Sequence, residues 1–190
     1  MPIIKIYPSK RPVRGILQYI TRGDTVPEEL IRTNGCDILD AEQEFSDIAR
    51  YYNKPTGAGN RTYYHMIVSY NTTYEKISPE EVRDMVKDLC QRTKIDCYQW
   101  YLAVHTDRPD HMHAHVVINN VSYRGDRKQH VKAGKSFQST GKLRHELMEK
   151  GNVICKERGY EHSLVNTKSK AQERLTRAEL ALAYSIWFLS

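Results

Sequence analysis

The chain has 190 residues, of which 39% are hydrophobic and 27% charged, with a formal charge of +6 and a pI near 9.1. That balance describes one ordinary soluble globular domain, long enough for a substantial core. No stretch reads as a signal peptide or a transmembrane helix: the N-terminal apolar run is only Ile3, Ile4 and Ile6, and residues 180 to 189 cover about half a bilayer span.

Residues 3 to 7 read as a first strand and residues 8 to 12 as a basic turn. Val13, Ile16, Leu17 and Ile20 then recur at helical spacing, predicting a helix to about Thr21. Tyr19 falls roughly 100° from the centre of that apolar stripe, so it is presented at an edge. Residues 1 to 23 carry five basic side chains and no acidic one. Residues 23 to 34 are expected to be irregular, residues 41 to 52 helical, and residues 53 to 60, with Pro55, Gly57 and Gly59, a mobile loop. Residues 62 to 70 alternate as a strand, and His65 within it reads as an ordinary sheet histidine. Ser78-Pro79-Glu80-Glu81 is a helix start with an N-cap serine, a first-turn proline and a capping glutamate. The four cysteines, Cys36, Cys90, Cys97 and Cys155, have neither C-x-x-C nor zinc-finger spacing and read as reduced thiols of a cytoplasmic protein.

Four of the eight histidines fall between His105 and His115, where chance would place about half of one. Tyr98, Trp100, Leu102 and Val104 alternate with Gln99, Tyr101, Ala103 and His105. Downstream, Met112, Ala114, Val116 and Ile118 alternate with His113, His115, Val117 and Asn119. A hairpin closed by the polar residues 106 to 111 places His105, His113 and His115 on one sheet face. Three neutral imidazoles leave positions open for water or substrate, the arrangement of a catalytic metal site. A surface hairpin with solvated histidines is the plainer alternative. His111 sits in the loop and is left outside the triad. Asp107 is a candidate partner for fixing the tautomer of a ligating imidazole.

Residues 122 to 139 are rich in Gly and Lys and include Arg124, Arg127, Lys128 and Lys132. Placed beside the histidines, such a loop could follow a phosphate backbone. Between residues 121 and 177, fourteen Lys and Arg stand against six Asp and Glu, a charge suited to a polyanion, although a solvated basic face would have the same composition. Leu143, Leu147, Ile154 and Cys155 predict a further helix across Gly151, ending near Gly159. Residues 167 to 170 read as a linker before a last capping box at Thr176 and an apolar helix. The element order gives an α+β fold with an antiparallel sheet covered on one face by helices.

These motifs resemble those of mobilisation relaxases of the HUH endonuclease superfamily, in the MobP-like group. The resemblance rests on His105 followed by His113-Ala114-His115, with Asp107 between and Asn119 after. It also rests on Ser9-Lys10 with Gly15-Ile16-Leu17-Gln18-Tyr19-Ile20, and on His65-Met66-Ile67-Val68-Ser69-Tyr70. It implies an antiparallel sheet of about five strands flanked by helices. Residues 3 to 165 would form the nuclease domain, and residues 166 to 190 a linker and C-terminal helix cut from a longer protein.

The resemblance also implies a chemistry. His105, His113 and His115 would hold a divalent metal, Mn or Mg first, with Zn, Ni or Fe as alternatives. Tyr19, with Asp107 in support, would attack a phosphate in single-stranded transfer-origin DNA and leave a 5′-phosphotyrosyl link. A phenol is a weak nucleophile near neutral pH and needs such activation. Lys10, Arg14, Ser69, Asn119, Arg124, Arg127, Lys128 and Lys132 would contact the DNA. Accessory relaxosome proteins and a type IV secretion coupling protein would be partners in a bacterial cytoplasm. Two other readings fit the same residues: a metal-dependent nucleic-acid hydrolase without a covalent intermediate, and a non-catalytic DNA-binding module.

Overall fold

Five strands form one antiparallel sheet in the order β1-β3-β5-β4-β2. They span Ile3–Ser9 (β1), Ile31–Asn34 (β2), Tyr63–Ser69 (β3), Tyr98–His105 (β4) and His113–Ser122 (β5). Four helices accompany them: Val13–Thr21 (α1), Ala41–Tyr51 (α2), Pro79–Gln91 (α3) and Gly141–Glu157 (α4). The computed structural model describes residues 3–21, 26–55, 59–70, 75–107 and 112–160. The expected C-terminal linker and helix, His111, and the middle of the loop after α2 lie outside these residues.

The sheet is covered on both faces, not one. On the first face, Met66, Val68, Trp100, Leu102, Val116 and Ile118 pack against Val82, Met85, Val86 and Leu89 of α3 and Leu143, Leu147 and Ile154 of α4. On the second, Tyr63, Tyr101, Ala103 and Val117 meet Val13 and Ile20 of α1 and Ala41 and Phe45 of α2. Alternation in β3, β4 and β5, interrupted by a shift of β4/β5 register between Tyr98 and Trp100, divides the side chains between these two cores. Each large side chain removed from water contributes about 1.5–3 kcal/mol, so the three central strands hold both layers.

Local chemistry fixes the helix boundaries. Ser78 Oγ accepts from the Glu81 backbone N–H and the Glu81 carboxylate accepts from the Ser78 N–H, a reciprocal cap worth about 1 kcal/mol. Thr140 Oγ1 caps α4 by accepting from the Leu143 backbone N–H, and α4 runs through Gly151, which lies buried beside Ile4.

Two expectations change. Residues 23 to 34, expected to be irregular, contain a 3-10 turn at Glu28–Leu30 and then β2, which pairs with β4 from Ile31↔Ala103 to Asn34↔Trp100. The first strand continues through Pro8 to Ser9, because β1 is an edge strand and a proline there removes no required ladder bond.

Candidate metal centre and nucleophile

Strand parity and register assemble the site on the α1/α2 face. His105 of β4 pairs with His113 of β5, and His115 lies opposite Ala103. One ring nitrogen from each of His105, His113 and His115 lies within 4.8 Å of the others. His105 and His115 are each 2% exposed, whereas His113 is half-buried at the mouth of the site.

The hydrogen bonds on the outer nitrogens orient the rings. His105 Nε2 is 2.8 Å from the Ile20 carbonyl oxygen, which can only accept, so Nε2 carries the proton and Nδ1 presents the lone pair. His115 Nδ1 is 2.8 Å from His65 Nε2, and the two rings stack at 5.0 Å and 25°. A proton on His115 Nδ1 shared with His65 turns the Nε2 lone pair of His115 into the site. Outer partners of this kind fix tautomers in metal centres. Three imidazoles with ring nitrogens this close together fit a borderline divalent ion with open positions.

Tyr19 stands over this cluster. Its ring centroid is 5.6 Å from His115 and 6.0 Å from His105, and the residue is 58% exposed. The apolar stripe of α1 explains this: Ile20 is fully buried beneath the helix, which turns Tyr19 outward along the sheet. The competing phenols are elsewhere. Tyr63 and Tyr64 are buried in the two cores, and Tyr51 meets Tyr52 edge-on at the end of α2.

The remaining candidates are scattered. Ser69 pairs with His113 across β3 and β5 and is half-buried on the same face. Asp107 lies exposed, two residues beyond His105. Lys10 and Arg14 are exposed at the start of α1. Asn119 is 2% exposed; its amide donates to Gln99 Oε1 at 2.8 Å and to the Phe45 carbonyl at 3.2 Å, which braces β5 against β4 and α2. Arg127, Lys128 and Lys132 are exposed, but Arg124 is paired with Asp96.

The basic loop is not beside the histidines. β5 runs ten residues from His113 to Ser122, so at ~3.3 Å per residue the loop begins about 30 Å from His113. There Val121 pairs with Ser136, and the loop packs on the end of α2, where a side chain at Gly134 would meet the Tyr52 ring. Lys94 and Lys142, not singled out from sequence, join Lys128 and Lys135 around a cavity of about 390 Å³. Burial, aided by Lys135, lowers the Lys94 pKa, and its ammonium donates to the Gln138 carbonyl at 2.9 Å.

Sequence reasoning missed His65 as part of the site. Its one available signal was parity, which puts it on the face of Ser69. Burial, with a smaller push from His105, lowers the His65 pKa from 6.5 to about 4. The unfolded ring therefore binds a proton near 6.5 and the folded ring only near 4, so stability falls as pH drops through that window. Melting temperatures of metal-free protein, recorded from neutral pH down to pH 4, are expected to decline less in His65→Gln than in wild type. An equal decline would place the acid sensitivity elsewhere.

The family model for the MobA/VirD2-like relaxase nuclease domain matches residues 19–153, from the exposed tyrosine to the middle of α4. The chain belongs to this family. Two curated relatives of the relaxase, both called Protein rlx and both from Staphylococcus aureus, are 28% identical over 149 residues and 26% identical over 147. The matches take in 78% and 77% of this chain but 42% and 39% of those proteins, so the relaxase chain spans about two-fifths of their length. A solved structure from work entitled "Molecular Basis of Vancomycin Resistance Transfer in Staphylococcus aureus" shares the fold, with a TM-score of 0.60 over 89% of this chain and 99% of the other at 11% identity. The five-stranded antiparallel sheet flanked by helices is thus the relaxase fold. No described helix of this relaxase is long and apolar enough to cross a membrane.

Proposed function

We propose that this relaxase nicks single-stranded DNA at a transfer origin, with Tyr19 as nucleophile, and so starts transfer of a plasmid or other mobile element. The observation that carries this reading is the exposed Tyr19 ring 5.6 Å from His115, above a cluster of three histidines. Tyr19 loses its phenolic proton as its oxygen bonds to phosphorus. The bond to the 3′ oxygen breaks, that oxygen takes up a proton, and the 5′ phosphate stays on the protein as a phosphotyrosine. Because one phosphate ester replaces another, the strand can be rejoined by the reverse step.

His105, His113 and His115 would hold a divalent ion, Mn or Mg by preference and Zn, Ni or Fe as alternatives. When bound, such an ion supplies positive charge against the non-bridging phosphate oxygens and orients the phosphate for in-line attack. The Ile20 carbonyl sets the tautomer of His105, and His65 orients the His115 ring. We assign Asp107 to orienting the imidazoles from the exposed end of β4, and Ser69 to the DNA beside His113. Lys10, Arg14, Arg127, Lys128 and Lys132 would contact phosphates. Asn119 serves the DNA surface from beneath, through the brace it forms. Accessory relaxosome proteins and a secretion coupling protein would complete the assembly in a bacterial cytoplasm, with residues 3 to 165 as the nuclease unit and residues 166 to 190 as its continuation.

The test is denaturing electrophoresis of the protein incubated with labelled single-stranded oligonucleotides from its neighbouring DNA, with and without Mn. A heat-resistant, metal-dependent adduct is expected. Cleavage without an adduct would mean hydrolysis by water, and binding without cleavage would mean a non-catalytic module. Removing the charges of Arg127 and Lys128 together by alanine is expected to weaken binding on every sequence and to make the salt slope shallower by about 1.4. Affinity unchanged at low salt would take this loop out of the interface.

A further inference from the structure

We propose that a cavity beside the start of α1 receives one unstacked base of the bound strand, a few nucleotides from the bond that Tyr19 attacks. This rests on reading the protein as a single-strand nickase. The cavity is about 450 Å³ and lies between α1, α2 and the end of β5. That is within the roughly 300–1,000 Å³ range of small-ligand pockets. Val13, Phe45 and Ala49 give it an apolar lining, with Lys10 and Arg61 also in its wall, the Arg61 guanidinium donating to the Tyr64 hydroxyl. An apolar slot with an exposed lysine in its wall suits a nucleobase whose phosphates remain outside. Glu42 lies on the α2 side, which disfavours phosphates there and leaves them the Lys10 side.

Position supports the assignment. Asn119, in the cavity wall, and His115, in the metal centre, lie on the same face of β5. Four residues of strand separate them, about 14 Å. A stacked strand covers that distance in about four nucleotides at ~3.4 Å each, and a stretched one in fewer. α1 joins the two places, with Val13 at the cavity and Tyr19 at the histidines. Val121, also in the cavity wall, pairs with Ser136 of the basic loop, so the same path continues onto further cations.

The test measures binding in EDTA by fluorescence anisotropy, using oligo-dA, oligo-dT and oligo-dC of ~16 nucleotides and an abasic oligomer of equal length and charge. Wild type is expected to bind base-bearing strands about tenfold more tightly than the abasic strand. Ala49→Phe, which fills the cavity, is expected to remove several-fold of that difference while leaving abasic binding unchanged. Equal loss on both strands, or no loss, would overturn the proposal. Since the variant could disturb the α2 packing, wild-type protein is also photo-cross-linked to an oligomer carrying 5-iododeoxyuridine. Attachment is expected within residues 42–49 or 119–121, and attachment only on the α3/α4 side would overturn the proposal. Full competition by free thymidine monophosphate at the affinity of the oligomer would also overturn it, by making the cavity a small-molecule site. Binding in EDTA reports on the cavity and adduct formation with Mn reports on the nickase reading, so failure of one is separable from failure of the other.

Discussion

Tyr19→Phe is expected to abolish the covalent protein–DNA adduct, a loss of roughly a thousandfold or more in strand cleavage, with little change in fold, metal affinity or DNA affinity. The substitution deletes only the attacking oxygen. The ring that meets His105 and His115 edge-on remains, and the 58% exposure of Tyr19 means no buried cavity is created. Electrophoresis under denaturing conditions separates adduct from free strand, and anisotropy on the same samples reports binding. An adduct that persists would move the nucleophile to another phenol. Tyr7 is the first to examine, because it is half-exposed and pairs with His65 across β1 and β3.

His113→Ala is expected to lower metal affinity by at least about a hundredfold and to reduce nicking in parallel, while DNA binding in EDTA stays within about twofold. His113 is the cleanest of the three to remove. His105 and His115 are buried at 2% exposure, and losing either leaves a void together with a stranded partner, the Ile20 carbonyl or His65. His113 is half-buried at the mouth, so its loss disturbs the packing least. Calorimetric titration with Mn measures the metal term directly. Equal loss of metal binding and DNA binding would instead indicate misfolding.

Much of this site could be read from residue order because it depends on parity. The alternation in residues 98–105 and 113–119 already places His105, His113 and His115 on one face, and the α1 stripe already leaves Tyr19 at an edge. Contacts that depend on register across distant segments could not be read. His65 meets His115 diagonally across β3 and β5, fifty residues apart in sequence, and nothing local distinguishes it from a solvated strand histidine. β2 has four residues, three of them Arg32, Thr33 and Asn34; its strand character comes from pairing with β4, not from its own hydrophobic pattern. The basic loop was misplaced because proximity in sequence to His115 was taken for proximity in space, while a ten-residue strand carries the chain to the opposite end of the sheet. Arg124 shows the same limit, since its partner Asp96 lies on a separate turn before β4.

The bond from His105 to the Ile20 carbonyl has a consequence for how this chain can change in length. Tyr19 and Ile20 are neighbours on one helix, and Ile20 is fastened to His105. One residue inserted between Val13 and Tyr19 leaves that fastening in place and displaces the cavity end of the helix. One inserted after Tyr19 swings the phenol by about 100° around the helix axis while Ile20 stays fixed. An insertion or deletion at the Tyr19–Ile20 junction is therefore forbidden, because a single residue there decides whether the oxygen faces the histidines.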